Sequence, residues 1–169
     1  MIFNSKSEKM KSGLTIIVLM IAMVSFSQPL MRQNEMLVTQ NSAISFSYAT
    51  AEEMLYPKTI NNAFNVKVNV GSDIVKVYAS VMVQGSMRNT ELGNSLNLHL
   101  NHKSSGAAII SNIDVPLSGT PVLLFTLPRG SSTNLQEYSF VYDVKLLAPK
   151  NFIKPDMYNY TIVFSQTIQ

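Results

Sequence analysis

From residue 64 onward, apolar and polar side chains alternate at every second position, the period of a strand with one buried face. Phe64, Val66, Val68 and Val70 fall on one side, and Asn65, Lys67 and Asn69 on the other. Val75, Val77, Ala79, Val81 and Val83 alternate with Lys76, Tyr78, Ser80, Met82 and Gln84. Gly71-Ser72-Asp73 separates these two runs and predicts a hairpin turn. Leu96, Leu98 and Leu100 alternate with Asn97, His99 and Asn101. Tyr138, Phe140, Tyr142, Val144 and Leu146 oppose Ser139, Asp143 and Lys145. Tyr158, Tyr160, Ile162 and Phe164 oppose Asn159, Thr161 and Ser165. Shorter candidates lie at 36–40, 43–48, 107–110 and 122–126. The pattern predicts about nine short strands, each with one apolar face, in an all-β antiparallel sandwich.

Helical signals are few. Thr50-Ala51-Glu52-Glu53 has capping-box spacing before Met54-Leu55. Pro57 ends that segment within about two turns, so it reads as a connection between strands. Gly85-Ser86, Gly93-Asn94, Ser104-Ser105-Gly106, Ser118-Gly119 and Pro128-Arg129-Gly130 punctuate the apolar runs as turns.

The N-terminus follows a different rule. Lys6, Lys9 and Lys11 precede an uncharged run of 13 residues, 14–26. As a helix that run covers roughly 20 Å, against roughly 30 Å of bilayer hydrocarbon. Small residues at Ser25 and Ser27 then place a signal-peptidase cut between Ser27 and Gln28. Residues 1–27 are therefore expected to be a signal helix that meets the membrane only before cleavage. Residues 28–169 are expected to be one domain, exported to the periplasm, the cell surface or the medium. No cysteine follows the apolar run, which excludes a lipoprotein anchor. The ending Ser25-Phe26-Ser27-Gln28 resembles signal peptides of flavobacteria.

Composition narrows the chemistry. With 46% hydrophobic and 14% charged residues, the chain of 169 residues is too apolar to be disordered. The absence of cysteine excludes disulfides, thiolate metal sites and a cysteine nucleophile. The net charge of +3 falls to +1 once residues 1–27, with three lysines and Glu8, are set aside. The sequence pI of 9.1 therefore carries no nucleic-acid footprint.

No catalytic constellation emerges. His99 and His102 are the two histidines. Residues three apart on a strand face opposite ways, so they share a metal only across a bulge; a surface pair beside a turn is the simpler reading. Glu52 and Glu53 diverge by about 100° on a helical turn and do not converge on a substrate. No Gly-x-Ser-x-Gly elbow, phosphate loop or dinucleotide fingerprint is present. Ser131-Ser132-Thr133 reads as a solvated loop, and Lys145, Lys150 and Lys154 around Phe152 as solvated cations. Asn159-Tyr160-Thr161 matches a glycosylation acceptor, but it lies inside an expected strand, and the expected export signal resembles a bacterial one. No enzyme activity, cofactor or metal is expected.

The C-terminal third is the most distinctive. Residues 138–164 hold seven of the 15 aromatic residues. Tyr138, Tyr142, Tyr158 and Tyr160 could stack on sugars, yet they share an inward face with Phe140 and Phe164, which predicts core packing. The connection 148–157 contains Pro149 and Pro155, and a last strand this apolar is expected to pair centrally or lie buried. The order 138–147, Pro-bearing loop, Pro155-Asp156-Met157-Tyr158-Asn159-Tyr160-Thr161-Ile162-Val163-Phe164 resembles the closing hairpin of small secreted bacterial β-sandwiches. These are the spore coat protein U-like and pilus-subunit domains and related Bacteroidetes proteins. Asp156 stands where those domains usually have glycine. The segment Ile44-Ser45-Phe46-Ser47-Tyr48-Ala49-Thr50-Ala51-Glu52-Glu53 is similar to one of their early strands. Gram-positive wall-binding domains named for a Trp-x-Leu motif end similarly, but this chain has no Trp. The resemblance implies an immunoglobulin-like or pilin-like sandwich with a structural or adhesive role and no catalytic residues.

Two functions follow as expectations. The first is a surface coat or fibre subunit that self-associates, or joins other surface proteins, by strand addition, with residues 29 to about 48 as donor. The second is a binding module for a glycan or another surface polymer.

Overall fold

The computed structural model describes residues 33–84, 95–104, 106, 108–130, 134–148 and 159–169. The expected signal segment, the expected cleavage bond at Ser27–Gln28 and the connection carrying Lys150, Phe152, Lys154 and Tyr158 lie outside these residues.

Nine strands are present among the described residues: β1 (Met36–Gln40), β2 (Lys58–Val70), β3 (Val75–Gln84), β4 (Leu96–Lys103), β5 (Ile109–Ile110), β6 (Asp114–Pro116), β7 (Val122–Leu127), β8 (Gln136–Leu146) and β9 (Asn159–Ile168). One sheet has the order β1-β2-β8-β4-β6 and the other β5-β7-β3-β9, with every pairing antiparallel. The inward faces of the two sheets share one core, so the fold is an all-β antiparallel sandwich. No described helix is long and apolar enough to cross a membrane.

The alternation places the core where it predicts. Val66, Val68, Val70, Val75, Val77, Ala79, Leu98, Phe140 and Val144 have no exposed surface, and their polar neighbours face out. Rings from the two sheets meet in the middle: Phe125 of β7 stacks on Phe140 of β8 at 3.8 Å between centroids. Phe64 of β2 meets Phe164 of β9 edge-on at 5.1 Å. Burial of this apolar face, at roughly 25 cal/mol per Å², is the main force holding the sheets together.

The connectivity departs from expectation in two places. Gly71-Ser72-Asp73 does not close a hairpin: β2 and β3 belong to different sheets, and the turn carries the chain across the core. Neighbouring segments hold it. Asn34 Nδ2 donates to Asp73 Oδ2 at 2.6 Å, and the Gly71 N–H donates to Asn34 Oδ1 at 3.1 Å. The Gly130 N–H donates to the Gly71 carbonyl at 2.7 Å. β8 and β9 do not form a closing hairpin either. β8 lies between β2 and β4, whereas β9 pairs with β3 in the opposite sheet. Alternation is satisfied by any partner whose apolar face points the same way, so it cannot distinguish a hairpin from a crossing.

Residues 43–48 form no strand. The ladder stops because β2 bulges between Ile60 and Phe64, just beyond the last bond, Asn41 N–H to the Ala63 carbonyl at 2.9 Å. Ile44, Phe46 and Tyr48 still alternate inward and pack half-buried against the core. The Thr50–Glu53 signal becomes a 3₁₀ turn, Glu52–Leu55, with the Glu53 N–H donating to Thr50 Oγ1 at 3.3 Å. The three-residue β6 was not foreseen, being too short to show a period.

Candidate functional site

The last strand is where the fold leaves backbone chemistry open. β9 runs for ten residues and pairs with β3 without a break in register. Among the described residues no strand lies on its other side. The expectation that this strand pairs centrally is therefore corrected: it forms a sheet edge, and its core-facing residues are only half-buried.

The direction of its backbone groups follows from one pair. Ile74 and Gln169 exchange both N–H···O bonds, each 2.9 Å. In an antiparallel ladder such pairs alternate with pairs whose groups point away from each other. Residues 163, 165 and 167 therefore bond to β3, while Ile162, Phe164, Gln166 and Ile168 turn their N–H and C=O groups outward. Exposed edges are normally blunted by lysine, proline or a bulge. β9, Asn-Tyr-Thr-Ile-Val-Phe-Ser-Gln-Thr-Ile, has no charged residue and no proline, and shows no bulge against β3. The other edge strands, β1, β5 and β6, have five, two and three residues.

The flank around β9 is apolar where it meets the core. Ile162 and Phe164 are half-buried, as are Met36 and Val38 on β1, which ends the opposite sheet along the same side. Gln166 Nε2 donates to the Asn34 carbonyl at 2.7 Å and ties the two edges together. Gln166 Oε1 is buried without a partner. Ser165 and Thr167 are exposed on the outer face, and Ile168 is half-exposed.

Polar groups gather on the outer face of the five-stranded sheet. Asp143 of β8 is 6% exposed although it points away from the core. It sits between two bulges, one in β2 at residues 61–63 and one in β4 at Asn101. Its Oδ1 accepts the Asn62 N–H at 2.7 Å and Asn101 Nδ2 at 3.1 Å. Asn101 Nδ2 also donates to Asn62 Oδ1 at 3.0 Å. Asn62 adopts a φ of 51°, a conformation asparagine tolerates better than most residues. Beside this cluster, Asp114 Oδ1 meets His99 Nδ1 at 2.7 Å and Lys145 Nζ at 3.2 Å. The hydrogen bond to His99, reinforced by Lys145, holds the Asp114 carboxyl below the usual range.

The other residues singled out in the sequence are dispersed. The Asn101 bulge lets His99 and His102 face Asp143 and Val141, two residues apart on β8, so both histidines share one face. His99 nevertheless turns to Asp114, His102 is exposed, and no described group of three or more His, Asp or Glu side chains is placed to hold a metal. Glu53 pairs with Lys58 at 3.0 Å and accepts the Ala49 N–H at 3.3 Å, while Glu52 is exposed. The Lys58 bond holds the Glu53 carboxyl below its ordinary range. Lys58 also donates to the Ser47 carbonyl and lies 4.3 Å from the centre of the Tyr48 ring, whose hydroxyl is pushed up by burial. Tyr138 and Tyr142 are 2% and 1% exposed, and burial drives the Tyr142 hydroxyl upward; neither ring is available to stack on a sugar. Tyr160 is half-buried, and Asn159 is exposed at the start of β9.

Sequence reasoning passed over Asp143 as a solvent-facing residue. The one signal was Asn61-Asn62, which interrupts the alternation before Phe64 and marks the bulge. Comparison with family models, curated proteins and solved structures gives no match.

Proposed function

We propose that the chain is an exported, non-enzymatic structural or adhesive protein of the cell surface, a coat or fibre subunit that associates by strand addition. The observation that carries this reading is the side of β9, over residues 162–168, on which no described strand lies. There, outward N–H and C=O groups sit on an uncharged edge beside half-buried Ile162 and Phe164. A strand is the natural occupant of such an edge, because only another extended backbone matches its donors and acceptors. Export rests on the basic, apolar, small-residue order that ends at Ser27–Gln28.

The fold changes which segment takes part. Residues 29–48 were expected to supply the added strand, but Met36–Gln40 already pairs with β2 of its own chain. The proposal therefore uses β9 as the acceptor edge. The test is light scattering on the protein purified from the compartment in which it accumulates. Wild type is expected to form oligomers, and Ser165→Lys, a charge on an exposed edge position, to reduce them to monomers with an unchanged melting temperature. A wild-type monomer at every concentration, or oligomers indifferent to Ser165→Lys, would overturn the reading.

A further inference from the structure

Resting on that reading, we infer that the strand added to β9 is β9 of a second copy, antiparallel, with Ser165 on the two-fold axis between the copies. Three features of the edge lead there. Tyr160 and Thr161 each make a further interaction, and we take 162–168, beyond them, as the run that pairs. Its midpoint is Ser165. An antiparallel partner that keeps core-facing residues on the core side must pair even positions with even positions. The full-length match is then Ile162 with Ile168 of the partner subunit, and Phe164 with Gln166 of the partner subunit. Each pair recurs by symmetry, giving four pairs that exchange two bonds each.

The side chains accept this arrangement. β9 has no charge, so self-pairing brings no like charges together. On the outer face, Val163 would lie opposite Thr167 of the partner subunit and Ser165 opposite Ser165 of the partner subunit, pairings of small or β-branched residues that suit a ladder. On the core side, half-exposed Ile168 gains cover from Ile162 of the partner subunit. A second β9 also matches the length of the open run, whereas β1 offers only five residues. The result is a continuous eight-stranded sheet with closed two-fold symmetry, so this edge closes at a dimer, the unit from which a larger coat or fibre would be built through other surfaces.

Cross-linking tests the register, because the wild type has no cysteine and an introduced thiol is the only one present. Outer-face positions of the new ladder are non-hydrogen-bonded pairs, with Cα atoms about 4.5 Å apart, at the short end of the range a disulfide spans. Full-length Ser165→Cys is expected to oxidise to a covalent dimer. Val163→Cys or Thr167→Cys alone should not, because each lies about 13 Å from its own symmetry mate. The two mixed together should cross-link to each other. If light scattering shows oligomers but Ser165→Cys does not link, or if Thr167→Cys links to itself, the two-fold register is wrong while edge association stands. If wild type is a monomer throughout, both fall.

Discussion

Replacing Asp143 by alanine removes the acceptor that holds two bulges, and its cost can be worked out bond by bond. The Asn62 N–H loses its 2.7 Å bond to the carboxylate at a site where β8 packs between two strands. A hydrogen bond to a charged acceptor contributes about 1.5–3 kcal/mol, and a donor left unpaired in a buried site costs a similar amount. Asn101 loses less, because its Nδ2 keeps Asn62 Oδ1 at 3.0 Å. Against this, the buried carboxylate no longer has to be desolvated. The balance is a loss of about 2 kcal/mol, which for a domain this size lowers the melting temperature by roughly 6–8 °C. Asp143→Asn keeps an acceptor in the same place and should lose only about 1 kcal/mol. Thermal and urea unfolding followed by circular dichroism measure both variants. If Asp143→Ala melts within about 1 °C of wild type, the carboxylate does not clamp the bulges and the assignment is wrong.

Two glycines give a paired expectation. At Gly106 φ is 151°, and a Cβ would stand 2.6 Å from Cε1 of the buried Tyr138 ring. Gly106→Ala should therefore cost about 2 kcal/mol or more, read from the urea midpoint. At Gly71 the added Cβ would meet the side chain of Gln33, an exposed residue. That side chain can swing away, so Gly71→Ala should stay within about 1 kcal/mol of wild type. The His99–Asp114 contact sets an acid limit. The folded carboxyl titrates below its unfolded value, so its contribution is present above that value and lost as pH falls through the depressed one. With the Asp114 side chain 54% exposed, the contribution is a few tenths of a kcal/mol. The stabilities of wild type and Asp114→Asn should converge in urea titrations as the pH drops below about 4.

Period-two alternation made the fold class and most of the core readable. Val66, Val77, Leu98 and Phe140 are buried because a sandwich must hide every second side chain. Strand pairing was less legible. The turn at Gly71-Ser72-Asp73 suits either a hairpin or a crossing, and the side chain that holds the crossing, Asn34, lies 37 residues upstream. The β9 edge was hidden for a related reason. Tyr160, Ile162 and Phe164 read as fully buried, but an edge strand buries its inward face only partly. Asp143 was missed because alternation assigns it to solvent, and only the meeting of two bulges from distant segments encloses it.

The Asn34 contacts also set the polarity of the described body. They fasten the entry of the chain to the 71–73 turn and to Gln166 near its last residues, so both ends of the described body meet at one pole. β2 leads from that pole to the opposite one, 13 residues and about 40 Å away. There the chain presents Leu55 and Tyr56, 69% and 62% exposed. A label placed on Gln33 would therefore sit about 40 Å from those two side chains.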